Sequence, residues 1–455
     1  MRRRIMLNGF KAATIGHTAV GLWTHPANRV REYGTLQYWM DTARTLERGL
    51  FDGLFIADSQ GIVDVYQDST DVTLREAIGV PVIDPMLLVS AMATATEHLG
   101  FAVTASTTYE KPFDLARKFA TLDLVTNGRV GWNIVTSSSR SEAANFSLQK
   151  MIPHDERYTM ADEFMEVVYK LWEHSWDDDA FVFDRERRVA VDPAKVRRIE
   201  HHGTYYDVPG CFISEPTRQR TPTLFQAGSS SAGRAFAARH AEGVFISVPR
   251  PDMAAGYVTK LRAEAAAAGR LPDSLKVFPL TTVVTAATDE EAWAKYRDYK
   301  SHQALEGNLA RFSGLTHVDM SKLDPDEPLR YVDNDGIRGS LEVFTKADPT
   351  REWTPRQIAD FLSVSTMGAL VVGSPATVAD QLERWVEEAD VDGFNIADTL
   401  AGTTFPDFVD LVVPELQRRG RMWTEYEGET LREHFYGAGS ARTRPDHPAT
   451  GHRRG

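Results

Sequence analysis

The chain alternates short apolar runs with longer amphipathic segments along almost all of its 455 residues. Eight of the short runs have the length and composition of β-strands, and nearly all of them are followed by a segment with helical periodicity. The predicted strands are residues 5–10, 51–57, 100–106, 129–136, 223–227, 243–248, 277–285 and 393–397. Strict alternation is typical of a parallel sheet, and eight repeats favour a closed (β/α)8 TIM barrel, because closure removes both sheet edges. Six or seven strands would instead leave an open, doubly wound sheet.

Two stretches interrupt the alternation, at about residues 137–222 and 301–366. Both follow a predicted strand, the fourth and the seventh, so we interpret them as insertions on the catalytic rim of a single barrel domain that spans residues 1–435. The predicted helices are residues 36–48, 84–98, 113–125, 158–172 and 232–240. Residues 436–455 form a tail rich in Gly, Ser, Arg, Pro and His, which predicts disorder or an arm that binds a partner subunit.

Charge and cysteine content exclude several classes of protein. The 51 Lys and Arg residues against 64 Asp and Glu give a formal net charge of −13, which argues against nucleic-acid binding through a broad basic surface. A single cysteine, Cys211, excludes an intramolecular disulfide and a cysteine-based metal site. No H-E-x-x-H motif is present, so we expect no catalytic metal. The basic start lacks an apolar signal-peptide core and no run of 18 apolar residues occurs, so we expect a cytoplasmic protein that makes no membrane contact.

A small-residue loop, Gly228-Ser229-Ser230, lies between a predicted strand and a predicted helix. Small residues let a ligand approach the backbone, and the start of a helix offers N–H groups and a positive dipole to an anion such as a phosphate. The serines could equally do no more than cap the helix. A third reading is the nucleophile elbow of a serine hydrolase with Ser230 as the nucleophile, although Ala232 stands where that motif has its last glycine.

Other polar residues fall where strand ends and loops would meet on the rim of a barrel. Asp58, Thr104 and Asn133 lie at or near the ends of three predicted strands, and His17 follows the first strand. His154 and Tyr158 are four residues apart, so at the start of a helix they would share one face and could both donate hydrogen bonds to a phosphate or a sugar hydroxyl. Ordinary helix caps and surface polar groups are the alternative reading of each.

Many short motifs, in order along nearly the whole chain, resemble those of the bacterial luciferase-like flavin monooxygenase family. They are Asn8-Gly9-Phe10, Gly16-His17, Trp23, His25-Pro26, Phe51-Asp52, residues 55–58, Thr121-Leu122-Asp123, Gly128-Arg129, and residues 132–137, 154–158, 226–228, 373–377 and 392–395. Within the family the chain looks similar to long-chain alkane monooxygenase and, at a greater distance, to the nitrilotriacetate and dibenzothiophene sulfone monooxygenases. No G-x-G-x-x-G follows a strand, which agrees with a barrel that does not hold NAD(P)H in a dinucleotide fold.

The resemblance implies a barrel of the bacterial luciferase type that binds reduced FMN supplied by a separate NAD(P)H-dependent flavin reductase. With O2 it would form a flavin peroxide and oxygenate a hydrophobic or heteroaromatic small molecule, and it would act as a homodimer or homotetramer. Carried over residue by residue, the resemblance puts Asp58 near the isoalloxazine and Thr104 and Asn133 at its edge. It assigns Ser137, His154, Tyr158, Gly228, Ser229 and Ser230 to the ribityl chain and phosphate. We expect His17 to donate or accept a proton at the flavin edge, because imidazole titrates near neutrality.

The substrate pocket departs from the alkane enzyme at four positions. Thr14, Val63, Gly79 and Ser138 replace a cysteine, a tyrosine, a glutamine and a histidine, and only His17 of that polar set persists. Three of the four changes make the site smaller or less polar. The substrate is therefore left open: an alkane, a sulfone, an aminopolycarboxylate, or riboflavin or FMN itself as a target of degradation. A flavin-binding protein without oxygenase activity and a deazaflavin-dependent oxidoreductase are the remaining alternatives.

Overall fold

Eight parallel strands close into a barrel at the centre of the molecule. The computed structural model describes residues 3–228, 230–329, 344, 352–365 and 367–453. Its thirteen strands are β1 (Met6–Ala12), β2 (Gly53–Ala57), β3 (Gly100–Ser106), β4 (Val130–Val135), β5 (Phe181–Asp184), β6 (Val189–Val191), β7 (His201–His202), β8 (Asp207–Val208), β9 (Thr223–Gln226), β10 (Gly243–Ile246), β11 (Lys276–Thr285), β12 (Ala369–Gly373) and β13 (Gly393–Ala397). The barrel order is β1-β2-β3-β4-β9-β10-β11-β13, and β13 pairs back onto β1. The barrel predicted from the alternation is thus confirmed.

Helices follow most barrel strands and cover the outside of the barrel. They are α1 (Leu36–Arg48), α2 (Asp71–Arg75), α3 (Met86–Thr94), α4 (Pro112–Val125), α5 (Arg140–Asn145), α6 (His154–Tyr169), α7 (Ser231–His240), α8 (Pro251–Ala267), α9 (Asp289–Ser301), α10 (Leu305–Thr316), α11 (Pro355–Ser365), α12 (Pro375–Ala389), α13 (Thr404–Asp407), α14 (Val413–Arg418) and α15 (Leu431–Tyr436), with π-helical turns at Lys170–His174 and Phe408–Val412. Helix α1 has the bounds that its apolar spacing predicts. Among the described helices none is both long and apolar enough to cross a bilayer.

The two insertions are more regular than the sequence indicated. Between β4 and β9 the chain forms α5, α6 and two small antiparallel hairpins, β5–β6 and β7–β8. After β11 it forms α10 and α11, and then a ninth strand of the main sheet, β12, which the sequence analysis missed. Strand β12 stays outside the closed barrel because it pairs only with the second half of the ten-residue β11, at Thr281–Thr285.

Helix α15 closes the N-terminal end of the barrel. Leu431 and Phe435 belong to a buried cluster with inward-facing aromatic residues of the strands. Gly100 on β3 leaves the room for this closure, since a Cβ there would lie 2.4 Å from Leu431 Cδ1. The N-terminal end is therefore filled with side chains, and an open cavity is left to the other end of the barrel.

The tail after α15 packs against its own barrel, where the sequence had predicted disorder or an arm on a partner subunit. Asp446 accepts hydrogen bonds from Leu271 N (2.8 Å) and Ser274 Oγ (2.5 Å). Buried His447 donates from Nε2 to the carbonyl of His240 (2.9 Å). These contacts satisfy polar groups at the barrel surface, which is why a polar segment is ordered there.

Candidate active site

A cavity of about 420 Å³ opens at the C-terminal ends of the barrel strands. The loops after β1, β2, β4 and β9 line it, together with the start of α6 and one face of α10. Ten residues that the sequence assigned to the site lie in its wall: His17, Asp58, Val63, Gly79, Ser137, Ser138, His154, Tyr158, Gly228 and Ser230. TIM-barrel enzymes have their active sites at this end of the barrel, and the volume of the cavity suits a small-molecule ligand.

Gly228, Ser230 and Gly233, at the start of α7, form a close-packed cradle. Ser230 caps α7, and its Oγ accepts a hydrogen bond from Gly233 N at 3.0 Å. A Cβ on Gly233 would lie 2.7 Å from the Tyr158 hydroxyl and 3.1 Å from Gly228 Cα. Tyr257 holds the loop from behind by donating to the carbonyl of Gly228 (2.7 Å). The first turn of α7 thus presents its N–H groups and positive dipole beside backbone that carries no side chain, which is the environment an anion needs.

The start of α6 supplies the side chains that face this cradle. His154 and Tyr158 share one face of the helix, as their spacing predicts, with ring centroids 5.2 Å apart. Burial raises the pKa of Tyr158, so the phenol stays neutral and can donate a hydrogen bond. Arg157 also lines the cavity and is buried, with Nη1 donating to the carbonyl of Ile152 at 2.7 Å. Arg157 lies within the motif at residues 154–158, but its place in the site could not be predicted, because a lone arginine carries no positional signal.

The capping geometry of Ser230 argues against the serine-hydrolase reading. Ser230 has φ −67° and ψ 162°, an ordinary extended conformation and not the strained turn of a nucleophile elbow. Ser230 Oγ accepts a hydrogen bond from Gly233 N, and among the described residues no histidine base is hydrogen-bonded to it. A serine without an adjacent base is a poor nucleophile.

Asp58 stands at the end of β2, where the chain turns into a loop that is fastened across the cavity. Glu142 Oε1 accepts hydrogen bonds from Ser59 Oγ (3.1 Å) and Gln60 N (2.9 Å). Ser141 Oγ accepts from Ile62 N and donates to its carbonyl. Burial, with the negative charges of Asp84 and Glu142 nearby, raises the pKa of Asp58 to about 6. Asp58 can therefore exchange a proton close to physiological pH.

His17 lies in the loop after β1, with Nδ1 buried and without a hydrogen-bond partner among the described residues. Burial, reinforced by the positive charge of Arg311, lowers the pKa of His17 to about 3. This low pKa argues against the predicted titration near neutrality, and the role of His17 in proton transfer stays a prediction. His17 can still act as a neutral group that offers one donor and one acceptor nitrogen.

We expect the His17 imidazole to stay unprotonated between pH 5 and 8. Its folded pKa is depressed, so the folded protein binds this proton only in strong acid, and His17 destabilises the fold as the pH falls from about 6.5 towards about 3. NMR titration of protein with 13C-labelled histidine, compared with the His17→Gln variant to assign the signal, measures this. A His17 signal that titrates near pH 6.5 would contradict the expected neutrality.

Four predicted site residues are not found in the cavity wall. Thr104 and Asn133 are register partners on β3 and β4, and both are buried; Asn133 Nδ2 donates to Thr104 Oγ1 at 3.0 Å. Thr14 is buried and lines a smaller cavity on the other side of Gly16 and His17. Ser229 lies outside the described residues. Asn133 Oδ1 and Thr14 Oγ1 have no partner among the described residues, so both remain able to bond a ligand.

The donor set fits a mononucleotide such as FMN. The cradle of Gly228, Ser230 and Gly233 suits a phosphate, and Arg157 adds a positive charge to that end of the cavity. Tyr158 and His154 can both donate hydrogen bonds to a polyol chain. A Cβ on Gly228 would lie 2.4 Å from Gln226 Nε2, and one on Gly233 would lie 2.7 Å from the Tyr158 hydroxyl, so only glycine keeps the loop this tightly folded at the start of α7.

A possible metal-binding group lies elsewhere. His25, Asp298 and His302 place their donor atoms within 4.8 Å of one another, but none of the three lines the cavity. His25 Nε2 and Asp298 Oδ2 are already hydrogen-bonded at 2.8 Å. The chemistry proposed below makes no use of this group.

Comparisons with known proteins agree with this geometry. The profile of one family, described as luciferase-like monooxygenase, matches residues 17–393. The chain is 47% identical over 453 residues to dimethyl-sulfide monooxygenase of Hyphomicrobium sulfonivorans, covering 100% of this chain and 94% of that protein. It is 43% identical over 453 residues to long-chain alkane monooxygenase of Geobacillus thermodenitrificans (strain NG80-2), covering 100% and 99%. A riboflavin lyase crystallised with modified FMN and riboflavin superposes with a TM-score of 0.93 at 36% identity, covering 100% of both chains.

Proposed function

Because the chain belongs to the luciferase-like monooxygenase family, we propose that it is the oxygenase of a two-component system that uses reduced FMN and O2. The family resemblance read from the motifs is confirmed, and with it the class of enzyme, a flavin-dependent monooxygenase. In this proposal a separate NAD(P)H-dependent flavin reductase supplies the reduced FMN. The 47% identity to a sulfide monooxygenase, against 43% to the alkane enzyme, supports a sulfur compound at least as well as an alkane.

The cradle at the start of α7 is the observation that carries the proposal. It offers the FMN phosphate the N–H groups of a helix start, with Arg157 and Tyr158 on the facing helix. Strand β9, which leads into this cradle, is four strands from β1 in the order of the eight-stranded barrel, so the cradle and His17 lie on opposite sides of the cavity. A flavin held by its phosphate at the cradle would extend its ring system across the rim towards His17 and Asp58.

Reduced FMN, when bound, supplies the two electrons that let one atom of O2 enter the substrate while the other leaves as water. The chain's own residues then have three tasks: to orient the ring, to exclude water and to manage protons. Asp58, with its pKa near 6, can hold or release a proton at its carboxyl oxygen. Neutral His17 can hydrogen-bond without adding charge. The fastened loop at residues 59–62 and α10 cover the cavity from two sides and limit the access of water.

The substrate end of the cavity has an apolar wall. Ile62, Val63 and Leu315 line it, and Val63 fits against Gly314, where a Cβ would lie 2.7 Å from Val63 Cγ1. Gly79 adds no side chain and faces open space. We propose a small hydrophobic or heteroaromatic substrate for this wall.

The test combines flavin binding with product analysis. Purified protein, FMN, an NADH-driven flavin reductase and air would be incubated separately with dimethyl sulfide, hexadecane, dibenzothiophene sulfone and riboflavin. We expect at least one oxygenated product by mass spectrometry, with substrate-dependent oxygen uptake. Release of hydrogen peroxide alone with every substrate would identify a flavin-binding protein without oxygenase activity.

Binding of the cofactor is measured independently of turnover. Anaerobic titration with photoreduced FMN, followed by absorbance, is expected to give saturable binding well below millimolar concentration. Binding no tighter than millimolar would overturn the proposal, and preferential binding of a deazaflavin would redirect it. Light scattering coupled to gel filtration measures the homodimer or homotetramer that the proposal includes.

A further inference from the structure

Helix α10, in the insertion after β11, brings a positive charge to the wall of the cavity. Arg311 lines the cavity, and its Nη1 donates to the carbonyl of Thr18 in the loop after β1, at 2.6 Å. The helix lies close to this loop: a Cβ added to Gly307 would be only 2.6 Å from Val20 Cγ1. Arg311 is thus held in place by backbone and packing.

The guanidinium of Arg311 has no carboxylate partner among the described residues. Asp58, Asp64 and Glu142 also line the cavity, yet none forms an ion pair with Arg311 within 4.0 Å. Burial lowers the pKa of Arg311 to about 10, and no negative charge of the described residues offsets that effect. The side chain remains a cation at neutral pH. A largely desolvated cation without a counter-ion among the described residues is unfavourable, so this position suits an anionic ligand.

The phosphate of FMN is not placed to be that anion. The cradle that suits a phosphate follows β9, whereas Arg311 contacts the loop after β1, on the opposite side of the barrel. In the proposed function the flavin ring occupies the part of the cavity between them. On the Arg311 side the neighbouring wall is apolar, formed by Val63 and Leu315.

We propose that Arg311 binds a carboxylate or sulfonate group of the substrate, and that the apolar body of that substrate packs against Val63 and Leu315. This inference rests on the proposed function, because it names the substrate class of the same cavity. A guanidinium can bind such a group through two parallel hydrogen bonds, which also fixes the orientation of the body relative to the flavin. The enzyme would then favour amphipathic organic anions over neutral molecules of the same length.

Calorimetric titration of the full-length protein, with oxidised FMN present, tests the preference. The probes are hexanoate and hexanesulfonate, with hexan-1-ol as the neutral molecule of equal chain length. We expect at least one of the two anions to bind wild-type protein about tenfold or more tightly than the alcohol, the range of a charge-assisted hydrogen bond. Arg311→Met should remove the preference, and Arg311→Lys should keep part of it.

Arg140 offers the matched control, since it is an exposed arginine on the rim of the same cavity. Arg140→Met removes the same charge and should leave the anion preference within about twofold of wild type, because exposed charges are screened. The inference is overturned if neither anion binds better than the alcohol, or if Arg311→Met retains the preference. It is also overturned if Arg311→Met weakens FMN binding instead, which fluorescence titration measures separately. Failure of wild-type protein to bind FMN would count against the proposed function, and the anion titration repeated without FMN would still decide the role of Arg311.

Discussion

Gly233→Ala is expected to weaken FMN binding at least about tenfold while the protein stays folded. The added Cβ would lie 2.7 Å from the Tyr158 hydroxyl, 3.1 Å from Gly228 Cα and 3.1 Å from Ser230 Oγ. Tyr158 is packed against Phe236 with ring centroids 5.8 Å apart, so its ring cannot move aside freely. The loop must therefore open, and the N–H groups that face the phosphate are displaced. Quenching of FMN fluorescence gives the affinity, and thermal unfolding shows that the fold persists.

Gly256 on α8 provides the matched control for this substitution. It is also a helical glycine, but apart from the neighbouring backbone of its own helix no atom lies within 4 Å of the position that a Cβ would take. Gly256→Ala should bind FMN as wild type does and stabilise the protein by up to about 1 kcal/mol, since alanine is the better helix former. Equal FMN affinity of Gly233→Ala and wild type would show that the phosphate does not use the cradle after β9.

Local patterns predicted the barrel, because each strand and each helix carries its own periodicity. Eight strands and α1 follow from apolar spacing alone. Strand β12 was missed because a short apolar run at the end of a long insertion cannot be told from part of a buried helix by periodicity alone. The alternative of a disordered tail after Tyr436 was wrong: the composition there is polar, but the segment is ordered by hydrogen bonds to distant groups such as the carbonyl of His240.

The same distinction between local and distant contacts separates the site residues. His154 and Tyr158 share a helix face, so their proximity could be predicted from their spacing. Thr104 and Asn133 were correctly placed near strand ends, yet they bond to each other and are not found in the cavity wall. Arg311 could not be found from the sequence, because no local pattern says where an inserted helix docks. Its position depends on close packing between α10 and the loop after β1.

Arg432→Met is expected to reduce the free energy of unfolding by about 3–5 kcal/mol, as for removal of one partner from a buried ion pair. Arg432 is 0% exposed, with Nε 2.7 Å from Glu242 Oε1 and Nη2 2.9 Å from Oε2. Glu242, which immediately precedes β10, is buried as well. The guanidinium, with other contacts, holds the pKa of Glu242 below its usual range in spite of burial. Without Arg432 this carboxylate is left in the interior unpaired. Urea unfolding measures the loss, which appears as a lower midpoint.

The comparison variants separate the ion pair from a general loss of packing. Arg384→Met removes the solvent-exposed partner of Glu388 on α12 and should leave the urea midpoint unchanged. Arg432→Met combined with Glu242→Leu removes both charges and should recover much of the stability, because apolar groups of similar volume can replace a buried pair.

The pH dependence gives an independent check: a depressed carboxyl pKa stabilises the fold at neutral pH and loses that contribution as the pH falls, so wild type should lose the Glu242 contribution in acid. Since α15 closes the end of the barrel away from the cavity, folded Arg432→Met should bind FMN within about twofold of wild type, and a larger change would mean that the two ends of the barrel are coupled.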